Sequence, residues 1–186
     1  MYIDQTGEQV TLTRDCDAIQ VPSGERMRLP AGSVGTITQA LGGTYTVITG
    51  DGFMVRIQSK DADALGKEAT GEVPEQPASE APADVEKAVW DELRTCYDPE
   101  IPINIADLGL VYACRVTPVP DGGNRVEIEM TLTAPGCGMG DVLKAEVESK
   151  LDELAGVKEY DVQLVFEPPW DYNMIPDAAK LTLGMM

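Results

Sequence analysis

"RVEIEMTLTAPGCGMGDVLKAEVESKLDELAGV", residues 125–157, changes its apolar period once, and that change decides the fold. Through Val126, Ile128, Met130 and Leu132 the apolar side chains alternate with Glu127 and Glu129, the pattern of a strand with one face buried and one in water. Beyond Met139 the recurrence becomes helical, with Leu143, Val147, Leu151 and Leu154 on one face, and it stops at Gly156, a predicted C-terminal glycine cap. At the junction stands one cysteine, Cys137, between Gly136 and Gly138. A thiol at a helix start meets unsatisfied backbone N–H groups and the positive end of the helix dipole, which lower its pKa and favour the thiolate. Asp141 acts the other way, because a capping carboxylate occupies those donors and its charge opposes a second anion. The local sequence leaves two readings of Cys137 open: a reactive thiol, or a small residue that fits a tight turn.

The pattern extends outward on both sides. In "LVYACRV", Tyr112, Cys114 and Val116 are predicted to share a strand face, and in "VKEYDVQLVFEP" the inward set is Val162, Leu164 and Phe166. "ADVEKAVWDELRTCYDPEI" carries Val85, Val89, Leu93 and Cys96 at helical spacing. The order α-β-β-α-β predicts an α+β domain over 84–186, a small sheet packed on two helices. Residues 1–65 read as a small, barrel-like β-rich domain, with hairpin signals at Gly42-Gly43 and Asp51-Gly52. Between them, 66–83 are rich in Pro, Ala, Glu and Gly and read as a flexible acidic linker.

The 186 residues carry a formal charge of -18, so a broad phosphate-binding surface is excluded and nucleic acid is not an expected partner. No apolar run approaches the roughly 20 residues of a membrane span, and the start lacks the pattern of a secretory signal. With four scattered cysteines and no CxxC pair, the expected setting is the reducing cytoplasm. The absence of histidine removes Ser-His-Asp and Cys-His catalysis and every imidazole metal site. Cys96 and Cys114 fall on apolar faces, where a free cysteine behaves as a small hydrophobe. Cys16, in "RDCDA", lies between aspartates that should raise its pKa. The loop "YDPEIPINIADLGLVY" gathers Asp98, Glu100, Asn104 and Asp107, which either cap turns or line a pocket; their spacing matches no calcium loop.

"DPEIPINIADLGLVY", "TLTAPGCGMGDVL" and "PPWDYNMIPDAAKLTLG" resemble, in order and spacing, the iron-sulfur assembly family that includes the phenylacetate-pathway protein PaaD. "LPAGSVGTITQALGGTYTV" resembles the SufT subgroup, which joins a β-rich unit to that domain. The resemblance implies an accessory factor in maturation of iron-sulfur proteins, a carrier or adaptor and not an enzyme. It places the motif cysteine on Cys137 and the supporting loop on Thr133, Pro135, Gly136, Gly138, Asp98, Glu100 and Asp107. Many members have proline after that cysteine, where this chain has Gly138. Clusters are usually held by four thiolates, so the implied cofactor is a cluster or iron shared through Cys137. The second set of ligands would come from a homodimer, an assembly scaffold or carrier protein, or an apo client. Trp170 and Met174 are candidates for partner contact. The competing readings are a thiol-dependent enzyme at Cys137 and a purely structural interaction module.

Overall fold

The computed structural model describes residues 7–41, 44–68, 76–98, 101, 103–134 and 139–182. Gly42, Gly43, Glu100 and the whole stretch from Pro135 to Gly138, with Cys137 and Gly136, lie outside the described residues. The chain divides into two compact units, Met1–Val73 and Pro74–Met186.

The first unit is a six-stranded sheet built only from antiparallel pairs. Its strands are β1 (Glu8–Thr11), β2 (Cys16–Val21), β3 (Arg26–Leu29), β4 (Val34–Leu41), β5 (Thr44–Thr49) and β6 (Met54–Ile57), in the order β1-β4-β5-β6-β2-β3. Alternate residues such as Val10, Ala18, Ile37, Val47 and Val55 form its core, as a period of two requires. The unit is not purely β, since a 3₁₀ segment, Ser59–Leu65, adds Ala62, Ala64 and Leu65 to that core. Arg14 spans the carboxylates of Asp61 and Asp63 at 2.9 and 2.5 Å. Cys16 points inward from β2, and its thiol is pushed up to about 11, first by burial and then by Asp61. Its sequence neighbour Asp17 contributes less, because successive strand side chains point to opposite faces.

The second unit follows the order α1 (Pro82–Leu93), β7 (Val111–Pro118), β8 (Asn124–Met130), α2 (Gly140–Glu153), β9 (Val157–Leu164), then a 3₁₀ turn (Tyr172–Met174) and α3 (Asp177–Thr182). The fold is α+β, with β8 at the centre of a three-stranded sheet, antiparallel to β7 and parallel to β9. A parallel pair needs a long crossover, and α2 supplies it. The two helices bury Val85, Val89 and Leu93, and Leu143, Val147 and Leu151, against Val126, Ile128, Met130 and Val162. Cys96 is fully buried just beyond the end of α1. The last residues before α1 are held against this unit: the Ala155 N–H donates to Gln76 Oε1 at 2.7 Å, and the buried Asn124 amide donates to the Glu80 carbonyl at 2.9 Å.

Two strand expectations are corrected. Tyr112 does not share the inward face with Cys114 and Val116, because the register of β7 shifts between Val111 and Ala113. One extra residue in a bulge moves every earlier side chain to the other face. Val111 therefore takes the inward position opposite Met130, and Val111, Cys114 and Val116 pack on the core. Phe166 is not inward either: the last ladder bond runs from Val165 N–H to the Met130 carbonyl, and Phe166 beyond it is 45% exposed. The alternation outlasts the partner strand, and pairing sets where β9 ends.

Candidate functional site

The segment 97–110 reverses the usual loop composition, since Ile103, Ile105, Leu108 and Leu110 are buried in the core. Such a loop must satisfy its own backbone. Tyr97 and Asn104 form an antiparallel bridge, the Ile105 N–H donates to the Cys96 carbonyl at 2.8 Å, and Leu110 N–H to Ile105 O at 3.0 Å. Asn104 and Asp107 close the turn reciprocally: the Asp107 N–H donates to Asn104 Oδ1 and the Asn104 amide donates to Asp107 Oδ2, both at 2.8 Å. This is the capping role of the Asx side chains.

Asp98 does different work. It is only 3% exposed, and its Oδ1 accepts from the Ile101 N–H at 2.9 Å. Its Oδ2 faces the Thr133 hydroxyl, which donates at 3.4 Å, a long contact for an O–H···O bond. The pair aligns the buried loop with the exit of β8, two residues before the segment 135–138. On the far side of that segment α2 begins at Gly140, which passes so close to Leu132 that an added Cβ would lie 2.7 Å from its Cδ1. Met139 takes the N-cap position and, among the described residues, no side chain caps the helix, so Asp141 sits in the first turn without the capping bond that the sequence allowed. Among the described residues no side chain accepts from the backbone donors of that first turn.

The structure thus brings together Asp98 and Thr133 and pairs Asp107 with Asn104, while Cys137 lies outside the described residues. Among the described residues no group of three or more Cys, Asp or Glu side chains is placed to hold a metal ion. Cys114 is half-buried, with its thiol pushed up to about 12 by burial and then by Glu86 of α1.

Trp170 and Met174 belong to a strap, residues 165–182, laid back over the same loop. The Trp170 indole N–H donates to the Leu108 carbonyl at 2.8 Å, and the Tyr112 hydroxyl donates to the Pro168 carbonyl at 2.7 Å and lies 3.7 Å from Met174 Sδ. Gly109 has a φ of +70°, and a Cβ there would lie 2.6 Å from the Met174 carbonyl oxygen. The role of "DLGL" that sequence reasoning missed is this packing contact. The local signal was Gly109 itself, a residue suited to close backbone approach.

Comparison with known proteins places the second unit in a described group. A family model described as "Iron-sulfur cluster assembly protein" matches residues 86–164. A Porphyromonas gingivalis protein named Fe-S protein maturation auxiliary factor is 45% identical over 94 residues, covering 50% of this chain and 86% of that one. The Staphylococcus aureus Fe-S protein maturation auxiliary factor SufT is 38% identical over 88 residues, 47% of this chain and 96% of the relative. The Bacillus subtilis auxiliary factor YitW is 34% identical over 97 residues, 52% and 91%. Each relative is matched over nearly all its length by about half of this one.

Proposed function

Because the chain belongs to the iron-sulfur cluster assembly protein family, we propose that it is an auxiliary factor in the maturation of iron-sulfur proteins, a carrier or adaptor acting through Cys137 and not a catalyst. The observation that carries this reading is the frame around residues 135–138: Thr133 aligned by the buried Asp98 on one side, and the uncapped start of α2 on the other. Backbone donors at a helix start would stabilise a thiolate brought to them without a histidine, of which the chain has none.

The iron or cluster is cargo here. Four thiolates usually hold a cluster, whereas Cys16 and Cys96 are buried and Cys114 is packed on the core with a raised pKa. One thiol per chain therefore needs a second molecule: another copy, a cytoplasmic scaffold or carrier protein, or the apo client. Among the described residues no helix is long and apolar enough to cross a membrane. Anaerobic reconstitution of the full chain with ferrous iron and sulfide tests the carrier form. Visible cluster absorption that disappears in Cys137→Ser is the expected result, whereas equal cluster binding by the variant overturns the assignment of the thiol.

A further inference from the structure

The strap that fixes the loop also presents a surface. The rings of Trp170 and Tyr172 lie 5.2 Å apart at 56°, and while Trp170 is anchored through its indole N–H to Leu108, Tyr172 is 57% exposed. Phe166 is exposed on the same strap, as are Glu167 and Asp171 on either side of Trp170. Asp171 uses one oxygen to accept from the Asn173 N–H at 2.6 Å, and Asp177 has its own base, Lys180, at 3.7 Å. Among the described residues neither Glu167 nor Asp171 has a basic partner. Exposed aromatic rings that are held rigidly lose little entropy on binding, and large exposed apolar side chains beside unpaired carboxylates are features of contact surfaces.

Resting on the maturation reading above, we propose that Tyr172, Trp170, Glu167 and Asp171 form the docking surface for an arginine-bearing segment of the partner protein. The chemistry selects arginine. A guanidinium is planar and weakly hydrated, so it stacks on an aromatic face while its N–H groups donate to a neighbouring carboxylate. Lysine carries the same charge without the plane or the fork. The bulk charge of -18 attracts both bases alike and draws any cationic partner near; only the strap separates them. Its anchoring bond to the Leu108 carbonyl holds the docked segment against the loop that also carries Asp98.

Titration of the full chain at physiological salt, with short neutral-background peptides carrying a pair of arginines, lysines or glutamates, tests this. The reporters are the indole N–H signals of Trp170 and, as an internal control, Trp90. The arginine peptide should shift Trp170 and leave Trp90 in place, bind about fivefold to tenfold more tightly than the lysine peptide, and lose that margin in Tyr172→Ala. Asp171→Asn keeps the turn cap and should lose part of the margin, which separates loss of charge from loss of fold. Equal binding of the arginine and lysine peptides, binding that Tyr172→Ala does not weaken, or burial of Tyr172 in a self-association that the variant abolishes would each overturn the proposal. Maturation that still requires Cys137 in that event leaves the functional reading standing and removes only the docking surface.

Discussion

Lys150→Ala should destabilise the second unit by about 3–5 kcal/mol at neutral pH, as removal of one partner from a buried ionic cluster does. Lys150 on α2 is 14% exposed, its ammonium lies 3.5 Å from the Glu92 carboxylate of α1, itself 16% exposed, and it donates to the Thr95 hydroxyl. Glu146, 1% exposed, and the fully buried Cys96 lie within its field. Burial disfavours the ammonium, yet Cys96, Glu146 and Glu92 outweigh it and hold the Lys150 pKa above 10.5. Burial conversely raises the Glu92 pKa, with Lys150 pulling it back. Without Lys150 that carboxylate loses its compensation, and most of the lost stability comes from negative charge left desolvated and unpaired.

The pH dependence follows from these directions. The Lys150 contribution is present below its unfolded pKa of about 10.4 and is lost as pH rises through its higher folded value. For Glu92, whose folded pKa is raised, ionisation carries a cost that is absent below about 4.3 and grows as pH rises through the folded value. The deficit of Lys150→Ala should therefore shrink as the pH falls from neutral toward 4, where Glu92, its folded pKa raised, becomes protonated. Denaturant unfolding across that range measures it. Lys144→Ala is the control, because its i,i+4 pair with Glu148, at 3.8 Å, is half-exposed to solvent and worth at most about 0.5 kcal/mol.

Gly109→Ala is expected to cost about 2–4 kcal/mol and to lower the midpoint of the second unit by roughly 10–20 °C. Two effects add. An alanine at φ +70° is strained by about 1 kcal/mol, and its Cβ would need the Met174 carbonyl to retreat from 2.6 Å. Backbone cannot yield as a side-chain tip does, so the strap must move, taking with it the buried Ile175 and Ala179. Gly122→Ala separates the two effects: its φ is +83° but nothing lies within 4 Å, so only the strain of about 1 kcal/mol applies. Loss of the bond from Trp170 to Leu108, seen in the indole N–H signal, should accompany Gly109→Ala and not Gly122→Ala.

The central strand and helix were legible in the sequence because each has one solvent face, and Val126, Ile128, Leu143 and Val147 record it directly. Phe166 and Tyr112 were misread for the same reason: alternation describes a face but not where a partner strand ends or where a residue is inserted. The Lys150–Glu92 cluster left no signal, since both residues look like surface charges until α1 and α2 close over them. Cys16 was expected to have a raised pKa on account of its neighbours, and the rise comes mainly from burial and from Asp61, 45 positions away, with the neighbouring Asp17 adding less. The site was legible in its residues but not in its support. Nothing in "DLGL" or "PPWDY" alone says that Leu108 accepts from an indole 62 residues later.

The central claim, that Cys137 is the group through which the chain serves maturation, is tested most directly in cells lacking their own copy. The measurement is the specific activity of a cluster-dependent enzyme when the full chain or Cys137→Ser is supplied at equal, folded abundance. The account predicts that the full chain restores activity and that the variant restores little or none. Full restoration by Cys137→Ser would contradict it.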